Sequence, residues 1–228
     1  MVAIAVPMAG VGLVNMGMSI TDTVMIGWLG TAELAAGTVV SDLYSIVFYM
    51  TSGVLLALGP MIAEAIGAGR DADVRRTVRQ GLVAAAIIAA PAAVAVLNTD
   101  VVLRGFGVGG DIIAMGRGYA QASALTIVAM LFVAVWRNVF AACGHPRVFL
   151  AATLMALPLN AILNGVLMYG WGPVPAFGLT GAGMASAGVA GCLAAGLGFF
   201  AAVSPAMRRY DLFRRIWRVD VAKLRELF

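Results

Sequence analysis

The sequence predicts an all-α integral membrane protein, with six transmembrane helices followed by an amphipathic helix on the membrane surface. Hydrophobic residues make up 62% of the 228 and charged residues only 11%, with a mean hydropathy of +0.97. A water-soluble domain carries about 25% charged residues. The charges that exist are bunched into short segments, and runs long enough to cross a bilayer separate them. The basic residues also fall on alternate connections, as a membrane topology demands.

A crossing needs roughly 20 mostly apolar residues at about 1.5 Å rise each. Six runs meet that requirement, at 2–28, 34–63, 78–97, 112–135, 148–169 and 177–203. The first opens MVAIAVPMAG, without a basic leader region or a small-residue cleavage site, and reads as a retained span. Pro91 and Pro158 lie inside spans three and five, where each frees a backbone carbonyl and invites a bend. In span six, Gly183, Ala187, Gly191 and Ala195 recur every fourth residue and predict a face for close helix packing.

Orientation follows from the Lys and Arg distribution. Arg70, Arg75, Arg76 and Arg79 lie between spans two and three, Arg137 and Arg147 between four and five, and seven basic residues after span six. The opposite side carries only Arg104 and Arg117. Both termini are therefore expected in the cytoplasm. Beyond residue 206, Tyr210, Phe213, Trp217, Val221, Leu224 and Phe228 recur at three- and four-residue intervals, with arginines on the other faces. That pattern predicts a helix lying on the inner leaflet, either as a linker or as a sensor of anionic lipid.

Several function classes fall away. The net charge of +4 reflects the loops between spans, with one Lys against fourteen Arg and no aromatic-interleaved basic face for nucleic acid. No HExxH, G-x-S-x-G or metal-spaced cluster is present, so the sequence reads as no enzyme. The string Gly105 to Gly110 lacks the final spacing and the strand–helix setting of a dinucleotide loop. Cys143 and Cys192 have no CxxC spacing and are expected to be buried and unreactive. His145, alone in the CGHPR turn, reads as a solvated loop histidine.

Ionisable groups inside spans require an account, because one at the centre costs about 2.5–3.5 kcal/mol on an insertion scale. Asp22 stands alone in the outer half of span one, between MGMSIT and TVMI. A carboxyl there can take up and release a proton if its partners stabilise both forms. Asn160 and Asn164, four residues apart on one face of span five, are the candidate partners. Their amides can donate to a carboxylate or accept from a carboxylic acid, and their oxygens could join Asp22 in coordinating sodium. Alternatively, they serve only to hold helices together. Asp42 reads as a carboxylate on the amino-terminal turn of span two, and Glu64 as the partner of a nearby arginine at the cytoplasmic surface.

Five segments in order resemble the multidrug and toxic compound extrusion (MATE) family of the MOP superfamily: TDTVMIGWLGTAELAAG, GPMIAEAIGAGRDADVRRTVRQG, RNVFAACGHPR, PLNAILNGVLMYG and FGLTGAGMAS. Together they span nearly the whole chain. The resemblance implies a carrier of two six-helix lobes with substrate between them. Residues 1–205 would form one lobe, 206–228 a cytoplasmic amphipathic linker, and the second lobe is expected to lie outside this chain or to be supplied by a second one. Asp22 would be the coupling carboxylate, Asn160 and Asn164 its network, and Ser186 a further member where the family often has threonine. Glu64 and Asp42 depart from the family's usual residues. The implied activity is exchange of H+ or Na+ for amphipathic, often cationic, drug-like compounds across the bacterial cytoplasmic membrane, with no other cofactor. A lipid-linked oligosaccharide flippase of the same superfamily and a non-transporting half-carrier scaffold stay open as alternatives.

Overall fold

The computed structural model describes residues 2–208 together with Tyr210 and Leu212. Its helices are α1 (Val2–Gly27), α2 (Thr31–Leu55), α3 (Leu58–Gly67), α4 (Asp71–Leu97), α5 (Thr99–Gly105), α6 (Gly110–Ala142), α7 (Pro146–Tyr169), α8 (Gly178–Val203) and the short α9 (Pro205–Arg208). Among the described residues, six helical segments are long and apolar enough to cross a membrane, with α2 and α3 counting as one. The architecture is an all-α bundle of six membrane helices, and the chain is a multi-pass membrane protein. The expected surface helix over 206–228 lies almost wholly outside the described residues. Met207, Tyr210 and Leu212, at its start, are buried against the main core.

Helix ends are built from the turn chemistry of the sequence. Gly69 (φ 69°) and Gly144 (φ 77°) take the left-handed conformation that a side chain resists. Behind them, Arg70 N–H bonds to the Ala65 carbonyl at 2.9 Å and His145 N–H to the Phe140 carbonyl at 2.8 Å, so both ends are Schellman motifs. Arg70 also pairs with Glu64 at 3.3 Å and Asp73 at 3.2 Å. These side chains are largely solvent-exposed, and exposed pairs contribute about 0–1 kcal/mol. The corner between α3 and α4 is therefore set by the glycine turn, with Asp71 and Asp73 favoured in the first turn of α4 by the helix dipole.

The second crossing is interrupted, where a continuous run over 34–63 was expected. Pro60 lacks an N–H and its ring would clash with the carbonyl four residues back, at Leu56. The chain tightens there, with Leu56 N–H bonded to the Gly53 carbonyl and Gly59 N–H to the Leu56 carbonyl. This leaves the Leu55 carbonyl without its helical donor. Asn138 on α6 supplies one, donating from Nδ2 to Leu55 O at 3.2 Å and to Ala134 O at 2.9 Å. In contrast, α4 and α7 run through Pro91 and Pro158 without breaking.

Helix α6, at 33 residues, extends beyond the 112–135 expected for span four and forms the centre of the bundle, packed by α8, α4 and α2. Its main core joins Ile127, Leu131, Val135 and Phe140 to Leu55, Leu58 and Ile62 of α2 and α3. Arg137, expected in a loop, lies inside α6, because the helix continues to Ala142. The packing face of α8 also differs from the fourfold pattern expected. Gly181, Ala182, Gly183, Ala185, Val189 and Ala190 are buried, whereas Ala195 is exposed and nothing lies within 4 Å of where a Gly191 Cβ would be. The reason is that the face α8 turns toward its neighbours runs through Leu179, Gly183, Val189, Ala190, Leu197 and Ala201, and of the expected four only Gly183 is buried. Cys192 is likewise exposed and Cys143 half-buried, so the expectation of two buried thiols fails. His145 is held in its turn by a 2.8 Å contact from Nδ1 to the Cys143 carbonyl and is half-buried, not free in solvent.

A Cβ at Gly183 would stand 2.7 Å from Ala122 Cβ and 3.1 Å from the Tyr119 carbonyl. Gly183→Val is expected to destabilise the bundle by about 1–3 kcal/mol through overpacking, whereas Gly191→Ala is expected to be neutral. Thermal melting of the two variants in one detergent checks both.

Candidate functional site

The candidate site is built where α1 lies beside α7. Asn164 on α7 donates from Nδ2 to Asp22 Oδ1 at 2.5 Å, and further along both helices the Tyr169 hydroxyl donates to the Met25 carbonyl at 2.6 Å. The two links, three residues apart along α1 and five apart along α7, tie the helices side by side and parallel. Thr21 and Thr23, on either side of Asp22, spend their hydroxyls on the carbonyls of Gly17 and Ser19 four residues back. Neither competes for the carboxylate, which is left to the amides of the neighbouring helix.

Asn160 and Asn164 are both fully buried, and Asn164 Nδ2 also donates to Asn160 Oδ1 at 3.2 Å. The amide NH2 of Asn164 thus serves Asp22 with one hydrogen and Asn160 with the other. Asn164 Oδ1 and Asn160 Nδ2 remain as buried atoms without a partner. Leaving such a group unmet costs about 1–3 kcal/mol, so the pair marks a place where something else completes the network. Asn164 Oδ1 can accept from a protonated carboxyl. With Asp22 and Asn160 Oδ1 it also offers the hard oxygen donors that suit sodium. Among the described residues no three His, Cys, Asp or Glu side chains come together to hold a metal ion, so cation coordination here would rest on one carboxylate and amide oxygens.

Asp22 opens onto a cavity of about 410 Å³ between α1, α2, α6 and α8. Ser186 lines the same cavity, so all four residues expected from the sequence meet at one place: Asp22 and Ser186 on the wall, Asn160 and Asn164 behind it. Tyr44, Phe48, Tyr49 and Tyr119 supply aromatic walls, with Tyr44 and Phe48 stacked at 6.1 Å between centroids. Ser41 and Tyr119 join α2 to α6 across the cavity through a 3.0 Å hydrogen bond between their hydroxyls. Among the described residues no Lys, Arg or His lines it.

Asp42 is the correction. It was expected on the first turn of its span, but α2 begins at Thr31 and places Asp42 three turns in, exposed on the cavity wall. The helix dipole falls off within the first turn and gives it no support there. The signal that singled out Asp22, a lone carboxylate in a long apolar helix, applied equally to Asp42. The aromatic wall carried no such signal, because an aromatic residue in a span packs against lipid or protein just as readily.

The sequence pattern of the family described as MatE matches residues 7–166. The chain belongs to the MatE family. The Probable multidrug resistance protein NorM of Brucella suis biovar 1 (strain 1330) is 33% identical over 224 residues, covering 97% of this chain and 48% of the relative. The protein of the same name from Synechococcus sp. is 33% identical over 215 residues, covering 94% and 46%. Among solved structures, the outward-facing conformation of a multidrug resistance MATE family transporter of the MOP superfamily superposes with a TM-score of 0.87 at 19% identity, covering 99% of this chain and 49% of that one. A eukaryotic MATE transporter superposes with a TM-score of 0.90 at 16% identity, covering 100% and 50%. This MatE chain therefore has the fold of one six-helix half and spans about half the length of the relatives it matches. Members of the family are transporters and not enzymes.

Asn164→Ala removes the hydrogen-bond donor that reaches Asp22. A bond to a charged group contributes about 1.5–3 kcal/mol, and the variant is expected to lose stability of that order, with Tyr169→Phe losing less. Denaturant unfolding in micelles, compared with the parent protein, measures both.

Proposed function

We propose that this chain is the Asp22-bearing lobe of a secondary active exporter that exchanges H+ or Na+ for amphipathic, often cationic, organic compounds. It would work with a second six-helix lobe, in the bacterial cytoplasmic membrane, with both termini cytoplasmic and residues 206–228 leading along the inner leaflet. The observation that carries the reading is a carboxyl held by one buried amide, Asn164, which a second, Asn160, backs, at the wall of a cavity whose described lining has no basic residue. The relatives named for multidrug resistance support it.

The mechanism follows from the chemistry of the amide. With Asp22 ionised, Asn164 donates to it. When a proton binds, a half-turn of the same amide presents its oxygen as acceptor, and the change is relayed to Asn160 through their shared hydrogen bond. Sodium would instead draw both amide oxygens toward the carboxylate. Either event alters the attachment of α1 to α7, and so the shape of the cavity wall on which a substrate rests. Coupling then amounts to a difference in substrate affinity between the two states of Asp22. A flippase for an anionic lipid-linked sugar would need a basic groove, and the described residues of the cavity lining offer none.

In vesicles containing this chain and a matching second lobe, an imposed pH or sodium gradient is expected to drive efflux of a cationic dye. Asp22→Asn is expected to reduce gradient-driven efflux at least about tenfold, the loss of roughly 1.4 kcal/mol of coupling. Unchanged gradient-driven efflux in the folded variant would refute the reading, and the gradient that works identifies the coupling ion.

A further inference from the structure

Two carboxylates line the main cavity, and they are in different chemical situations. Asp22 is bound by Asn164 and backed by Asn160. Asp42 makes no hydrogen bond or ion pair with the described residues and is exposed into the cavity. It lies on the same side of α2 as Ser45 and Tyr49, at intervals of three and four residues. Tyr49 is itself tilted against Phe48 with centroids 5.7 Å apart. Arg137 interacts electrostatically with Tyr49 and is not part of the described cavity lining.

We propose that Asp42 is the counter-ion for the organic cation carried in this cavity, separate from the carboxylate that binds the coupling ion. An uncompensated carboxylate facing a low-dielectric cavity sets up a negative potential that a monovalent cation relieves. Aromatic faces attract the same charge through their quadrupole and pack against the apolar parts of the ligand. A volume of about 410 Å³ lies in the range of small-molecule sites. Because Asp22 is already engaged by the Asn164 amide, a cation held at Asp42 does not have to displace the coupling ion in order to bind. Drug and coupling ion can occupy the lobe together, and their coupling is carried by the shape of the wall between them.

This inference rests on the exporter reading for its biological meaning, but its test is an equilibrium measurement made without any gradient. The protein is reconstituted in nanodiscs of zwitterionic lipid, and binding of tetraphenylphosphonium is compared with that of tetraphenylborate, an anion of the same shape. The parent protein is expected to bind the cation and to exclude the anion. Asp42→Asn is expected to weaken cation binding at least about tenfold, the size of one charge-assisted contact, while Asp42→Glu stays within about threefold of the parent. Equal binding by the parent protein and Asp42→Asn, or a loss in Asp42→Glu as large as in Asp42→Asn, would overturn the proposal. Should Asp42→Asn fail to fold, carbodiimide labelling of the parent protein decides: tetraphenylphosphonium is expected to shield Asp42 from modification, and undiminished labelling overturns the assignment. Gradient-driven efflux by Asp22→Asn tests the exporter reading separately, so failure of one leaves the other legible.

Discussion

The hydrogen bond between Asn164 and Asp22 is the contact on which the arrangement of this lobe turns. In hydrocarbon an ionisable group survives only where protein supplies the polar partners that water would otherwise provide. Here those partners sit on α7, so the cost of carrying a carboxyl in α1 is offset only while the two helices stay side by side in register. The Tyr169 hydroxyl bonded to the Met25 carbonyl fixes that register at a second point. Any change in the charge of Asp22 therefore acts on the packing of two helices.

The same rule explains features that seem unrelated to the site. Every backbone group at membrane depth must be met from within the protein. The break at Leu56 and Ala57 would leave the Leu55 carbonyl unmet, and Asn138 reaches across from α6 to meet it. Ser41 and Tyr119 satisfy one another across the cavity. Each of these polar pairs also fixes one helix against α6 or α7, so the cavity between α1, α2, α6 and α8 has walls pinned at several heights. Asp42 is the exception. Its carboxylate has no such partner among the described residues, and an anion without a partner on a cavity wall is a feature that selects what may enter.

Much of the fold was legible because its signals are local. A stretch of some 20 apolar residues reads as a crossing whatever its neighbours are, and six of them appear in both sequence and structure. Glu64 beside Arg70 was equally plain, since six residues across a glycine turn bring them together. The interruption of the second crossing had a signal in Gly59 and Pro60, but proline alone does not decide between a break and a bend: α4 and α7 continue through theirs. Arg137 fell on the wrong side of a boundary because a charge ends a hydropathy run without ending a helix. The packing face of α8 was misjudged for a related reason, in that small residues permit close approach at many positions and only the neighbouring helices select one.

By itself the sequence determined the number of crossings, the lopsided distribution of arginines, and the identity of Asp22, Asn160 and Asn164 as polar groups that a membrane span must justify. Those properties depend on composition and spacing along one chain. The tertiary structure alone decided that residues 142 positions apart meet at hydrogen-bonding distance, that Asp42 shares a cavity with Asp22, and that four aromatic rings wall it. Such meetings are set by which face of each helix turns inward, and in a bilayer an apolar face can turn to lipid or to protein at similar cost. Only the assembled bundle breaks that tie.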